Sequence, residues 1–228
     1  MNYTDLSAAI VAYTENTSSD FAAEIPVFVK QAEQRIYNSV QFPSIRKNVT
    51  GQTTATNKYL SCPADFLAVY SMAVVTDVTG TNLNTGTYEY LLNKDVNFIR
   101  QAYPTPNDTG VPRYYALFGP TTSGVSITNE LSFILGPTPD ADYYVELHYY
   151  YYPESIVTAG TSWLGDNFDT VLLYGSLVEA YTYMKGEADM MALYNQKYLE
   201  ALQLAKRLGD GMERQDAYRS GQVRIPVT

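Results

Sequence analysis

The period of the hydrophobic pattern changes twice along this chain, and no single layer of secondary structure accommodates both periods. Near the N-terminus apolar residues recur every three or four positions, at Leu6, Ala9, Ile10 and Tyr13, then at Ile25, Phe28, Val29, Ala32, Ile36 and Val40. Thr4 as N-cap and Asp5 in the first turn suit the first helix, and a polar joint at Thr14 to Ser19 separates it from the second. Pro26 is tolerable only near the first turn of that second helix, and Phe42-Pro43 should end it. From about Arg46 to Val157 the period becomes two, punctuated by Gly, Pro, Asn and Asp, which predicts strands. Helical spacing then returns in Leu173, Leu177, Ala180 and Met184, with Asp166 or Asn167 as cap and Gly186 at the end. It continues in Met191, Tyr194, Tyr198, Ala201, Ala205 and Leu208, with Lys206 and Arg207 before a terminating Gly209.

Within the β region the clearest strand is Tyr143 to Tyr152. Tyr143, Val145, Leu147, Tyr149 and Tyr151 share a core face, and Tyr144, Glu146, His148, Tyr150 and Tyr152 share the other. Leu131, Phe133 and Leu135 precede it, and Gly136-Pro137-Thr138-Pro139-Asp140 supplies a reversal that predicts an antiparallel hairpin between the two. Further strands are expected at Lys47–Thr54, Lys58–Ser61, Leu67–Val75, Thr87–Leu92 and Arg113–Phe118, the last followed by a Gly119-Pro120 turn. A short helix is expected at Asp95–Tyr103, and the polar run Asp77–Gly86 reads as a hairpin tip. An amphipathic helix pair needs a partner for its stripe, so helices from the two ends of the chain should share one bundle. The expected fold is α+β. Residues 1–45 and 161–209 form a four-helix bundle, 46–160 an inserted antiparallel β domain, and 210–228 an extended C-terminal arm. Residues 206–228, which include that arm, are the one basic stretch, and Gln222 to Val227 alternates polar and apolar residues like a strand that lies in another subunit's groove.

Composition narrows the function. The formal net charge of −9 opposes a phosphate-gripping nucleic-acid binder. A single cysteine, Cys62, and a single histidine, His148, exclude a disulfide framework and a Cys/His zinc site within one chain. No apolar stretch is long enough to cross a membrane, and the first residues lack a signal-peptide pattern, which places assembly in the cytoplasm. The 22 tyrosines against 8 phenylalanines favour contact surfaces, where a large ring and a water-tolerant hydroxyl work together.

No residues assemble into a catalytic motif. The acid pairs Asp140 with Asp142, Asp166 with Asp169, and Glu187 with Asp189 sit where turns and helix starts use acids. His148 beside Glu146 reads as a hydrogen-bonded sheet histidine, and Cys62 before Pro63 as a small buried side chain. Catalytic residues, metal ligands and cofactors are therefore expected to be none. Tyr144, Tyr150 and Tyr152 are the candidate subunit or tail interface, and such tyrosines also suit a carbohydrate- or receptor-binding surface.

Five segments are similar to one known family: Lys30 through Asn38, Tyr59 through Pro63, Glu130 through Pro153, Leu164 through Met190, and Tyr218 through Pro226. Together they resemble the head-to-tail adaptor, or connector, proteins of tailed bacteriophages, especially the short-tailed podovirus type, over almost the whole chain. The Asp77–Gly86 loop is longer than the family pattern. The resemblance implies a virion neck protein that forms a ring, typically a dodecamer, beneath the portal. Such a ring extends the channel for double-stranded DNA without binding it specifically, and meets a tail nozzle or tail-tube protein on its other side. It also implies that the C-terminal arm, through Arg219, Gln222, Arg224, Ile225, Pro226 and Val227, docks into the portal.

Overall fold

The computed structural model describes residues 1–105, 107–119, 121–123, 126–129 and 131–215. Its contacts divide into two compact units, one from Met1–Ile45 and the chain after Tyr151, the other from Arg46–Tyr151. The fold is α+β.

The helical unit begins with α1 (Tyr3–Thr14) and α2 (Ser19–Ser39). The cap of α1 is Asn2 and not Thr4, because the Asn2 carboxamide oxygen accepts the Asp5 N–H at 2.9 Å. Ser18 caps α2, whose stripe starts at the buried Phe21 and so begins before the expected Ile25. Pro26 consequently lies inside the helix, where its missing N–H leaves the Ala22 carbonyl without its usual donor. In the β unit the chain forms β1 (Arg46–Gln52), β2 (Tyr59–Ser61), β3 (Ala68–Thr76), β4 (Thr87–Tyr90), β5 (Leu92–Asn93) and α3 (Val96–Ala102). Then come β6 (Tyr114–Phe118), the antiparallel pair β7 (Thr121–Ser123) and β8 (Ser126–Asn129), β9 (Ser132–Gly136) and β10 (Tyr144–Tyr150). The remaining helices are α4 (Ile156–Ala159), α5 (Trp163–Asn167), α6 (Asp169–Met184) and α7 (Ala188–Gln215).

Helix α6 is the hub of the helical unit, packing on α1, α2 and α7. A Cβ on its Gly175 would stand 3.3 Å from the Ala32 Cβ of α2 and 3.2 Å from the Tyr198 ring of α7. A side chain there would push the neighbouring helices apart by a few tenths of an ångström. Arg35 of α2 ion-pairs with Glu179 of α6 and lies 5.9 Å from the centre of the Tyr198 ring, so one side chain touches three helices. Three boundaries differ from the sequence reading. Residues 163–167 form their own helix, with Ser162 Oγ accepting the Gly165 N–H at 3.0 Å, so α6 starts at Asp169 without a side-chain cap. Lys185, and not Gly186, takes the left-handed conformation at its end. Helix α7 runs through Gly209 and Gly211 as far as Gln215, the last described residue, since each glycine costs a helix only about 1 kcal/mol. Residues 210–215, read as the beginning of an extended arm, are therefore helical.

Glu33 of α2 is the buried acid of this unit, only 4% exposed. Its carboxylate accepts the N–H of Ile156, the first residue of α4, at 2.9 Å. One of the unpaired donors at that helix start is thereby satisfied, and the returning chain is tied to α2.

In the β unit, β1, β10, β3 and β4 make one antiparallel sheet in that order. A second sheet, ordered β2, β9, β6 and β5, is antiparallel except for the two-residue parallel pairing of β5 with β6. Met72, Val145, Leu147 and Tyr149 of the first sheet share one core with Tyr115, Phe133 and Leu135 of the second, which makes a sandwich. On the far side of the second sheet α3 buries Ile99 against Ala116 and Ile134. The burial of alternate residues in β10 matches the expected core face. The expected hairpin is overturned, because β9 and β10 lie in different sheets and pack face to face. The Gly136–Tyr143 connection crosses between sheets, and either arrangement buries both apolar stripes, so periodicity alone does not choose between them.

Burial pushes the Glu33 carboxyl up from its ordinary value, so its contribution to stability is full below about pH 4.5 and is lost as pH rises through the folded value. Glu33→Gln keeps an acceptor oxygen without a charge. It is expected to match the parent protein's melting temperature at acid pH and to exceed it near neutrality. Glu33→Ala strands the Ile156 N–H and should cost about 1–3 kcal/mol at both. Thermal melting followed by far-ultraviolet circular dichroism checks this; a parent protein that gains on Glu33→Gln as pH rises contradicts it.

Candidate interaction surfaces

The outward face of the first sheet carries Tyr144, Glu146, His148 and Tyr150 of β10, each half-buried. The groups between the two tyrosines are hydrogen-bonded inside the sheet. Asn48 Nδ2 donates to Glu146 Oε1 at 2.9 Å, and Ser71 Oγ lies 3.3 Å from His148 Nδ1. The Tyr150 ring meets Tyr70 edge-on, and the Arg46 guanidinium lies 4.8 Å from the Tyr70 ring centre and 5.8 Å from that of Tyr150. One face of these rings is thus covered by a cation, which leaves less open platform for a sugar than the sequence suggested. Tyr152 lies beyond the end of β10, in the helical unit, where its hydroxyl donates to Asn38 of α2. The arm residues Arg219, Gln222, Arg224, Ile225, Pro226 and Val227 lie outside the described residues.

Most of the acids weighed for catalysis have structural work. Asp140 Oδ1 accepts the Tyr143 hydroxyl at 2.6 Å, and Asp142 Oδ1 accepts the Ala55 N–H at 2.7 Å. Asp166 lies 3.8 Å from the N-terminal ammonium, Asp169 accepts the Thr170 N–H at 2.7 Å, and Asp189 is in the first turn of α7. A network missed in the sequence joins Lys47 Nζ to Asp65 Oδ2 at 2.6 Å, with the Tyr149 hydroxyl donating to Asp65 Oδ1 at 2.8 Å. The Lys47 hydrogen bond holds the Asp65 carboxyl below its ordinary value. Its partners are far apart in sequence, so only the fold reveals it. Among the described residues no three His, Cys, Asp or Glu side chains converge as a metal would need.

Two surfaces at the ends of the sandwich also escaped the sequence reading. Where β3 finishes and β4 and β10 begin, Asp77, Glu89 and Asp140 gather around Tyr143. The hydrogen bond to Asp140, followed by burial and the field of the three carboxylates, pushes the Tyr143 phenol up to about 12. From there β4, β5 and β6 all run toward the other end. A groove of about 640 Å³ opens there, lined by Lys94, Asp95 and Arg100 beside Ala116, Leu117 and Phe118. Leu117 and Phe118 are 38% and 55% exposed, unusual for large apolar side chains on a strand. Asp95 caps α3, accepting the Asn97 N–H at 2.7 Å, and its single charge is outnumbered by Lys94 and Arg100, so the groove is positive on balance.

A surface rich in tyrosine and exposed apolar side chains suits a binding and assembly protein. Comparison with known families gives the particular one: residues 1–226 match the SU10 adaptor protein family, and the chain belongs to it. It is a phage head-to-tail adaptor, a structural protein of the virion neck between portal and tail. No curated protein matches the chain.

Cys62 is half-buried beside the sandwich core, and burial pushes its thiol up to about 12. In the folded protein it should react with a disulfide reagent at pH 8 on the order of 100-fold more slowly than in the unfolded chain, because the thiolate is the nucleophile. Equal rates would contradict this placement.

Proposed function

We propose that this chain assembles into a ring, dodecameric as in the adaptors it resembles, that seats beneath the portal and extends the DNA channel toward a nozzle or tail-tube protein. Helices α1, α2, α6 and α7 form the bundle, which lies on the portal side. Arg219, Gln222, Arg224, Ile225, Pro226 and Val227 dock into the portal, and assembly takes place in the host cytoplasm. The role is structural and non-enzymatic. The observation that carries this reading is the family match over residues 1–226, which takes in the helices, the β unit and the basic C-terminal segment together.

Two physical arguments support it. A ring of subunits each of charge −9 repels phosphate, so a duplex slides through the lumen without being held. A short arm docking from every subunit at once turns a weak contact into a stable joint through effective concentration.

Mixing the full chain with the portal protein of its phage and weighing the product by native mass spectrometry tests the proposal. The full chain should add one copy per portal subunit, and a chain ending at Gln215, which keeps all of α7, should lose most of that binding. Failure of both chains to associate overturns the portal reading in favour of a receptor- or carbohydrate-binding tail component. In that case changing Tyr150 or Tyr144, and not removing the arm, should abolish binding.

A further inference from the structure

The two ends of the sandwich are complementary to each other and cannot meet within one chain. Asp77 and Asp140 are exposed and Glu89 is half-buried at one end, while Lys94 and Arg100 are exposed at the other. Register separates them: Thr87 of β4 pairs with Thr76 at the acidic end, and the chain then runs the length of β4 and β5 before reaching Lys94. The counter-charges at each end are few. Lys58 and Arg113 flank the acidic end, where they are outnumbered by Asp77, Glu89 and Asp140. At the basic end Asp65 is paired with Lys47, and Asp95 caps α3.

The basic groove is a poor site for nucleic acid. Two cations in a chain of net charge −9 cannot follow a phosphate backbone, and half of what they flank is apolar. It is better suited to an acidic protein surface that also covers Leu117 and Phe118. The acidic end of a second copy has that chemistry, with Tyr143 at its centre as an aromatic contact. A contact between unlike ends of identical chains is heterologous, and repeats of it generate a ring when the rotation closes.

We propose that the Lys94–Arg100 groove of one copy seats the Asp77–Glu89 end of the next copy's sandwich, and that this head-to-tail contact selects neighbours around the ring. This contact rests on the ring reading above. It supplies register and orientation, since the wrong ends repel, and it strengthens as salt falls.

The test is a charge swap in the full-length chain, read by native mass spectrometry and light scattering at low and high salt. K94E/R100E reverses the groove, and D77K/E89K reverses the opposite end while leaving the hydrogen bond from Tyr143 to Asp140 in place. Each variant alone should self-associate at least about tenfold more weakly than the parent protein. An equimolar mixture should reassemble, because every reversed groove then meets a reversed end in an alternating ring. Circular dichroism and melting curves like those of the parent protein establish that both variants fold. A parent protein that assembles while either variant assembles equally well alone, or a mixture that stays apart, overturns this contact and leaves the ring standing. A parent protein that stays monomeric both alone and with the portal overturns the ring and the contact together.

Discussion

The pairing of β1 with β10 is the constraint on which the rest of the architecture depends. Arg46, where the chain enters the β unit, is the cross-strand partner of Tyr150, one residue short of where it leaves. Because entry and exit lie side by side in one antiparallel ladder, over a hundred residues can be inserted between α2 and α4 without separating the helices on either side. The helical unit then closes as if the insertion were absent. Glu33 of α2 reaches the first N–H of α4, and α6 fills the space between α1, α2 and α7. The buried carboxylate is the costly part of this arrangement, and its hydrogen bond to Ile156 is what makes that burial tolerable.

Much of this was legible in the sequence because periodicity reports burial. The stripes through Phe28, Ala32 and Ile36, and through Tyr194, Tyr198, Ala201 and Ala205, face the interior as their spacing requires. The alternation in β10 does the same. What periodicity cannot report is which apolar face meets which. The strands at Phe133 and Val145 are equally apolar whether they lie side by side or face to face, and the structure chooses the second. Element ends were missed for a related reason: Asn2, Ser18 and Lys185 act through one local hydrogen bond or one backbone angle each, and several neighbouring residues could have served.

The candidate surfaces were less legible than the fold. Tyrosine abundance pointed to interfaces, but not to which tyrosines are used inside the sandwich core, as Tyr115 and Tyr149 are, and which remain outside. Lys94 follows β5, Arg100 is on α3 and Phe118 on β6, and they become one groove only once β5 pairs with β6 and α3 folds against them. Asp77, Glu89 and Asp140 come together in the same way. An assembly protein differs here from an enzyme, whose chemistry often leaves a local motif; surface charge distributed by topology leaves none.

The central claim is that this chain is a structural ring in the phage neck. A cryo-electron microscopy reconstruction of the virion neck tests it most directly. The account predicts a closed ring of this chain lying immediately below the portal. Density for the chain at the tail tip or on the tail fibres, with another protein filling the position below the portal, would contradict it.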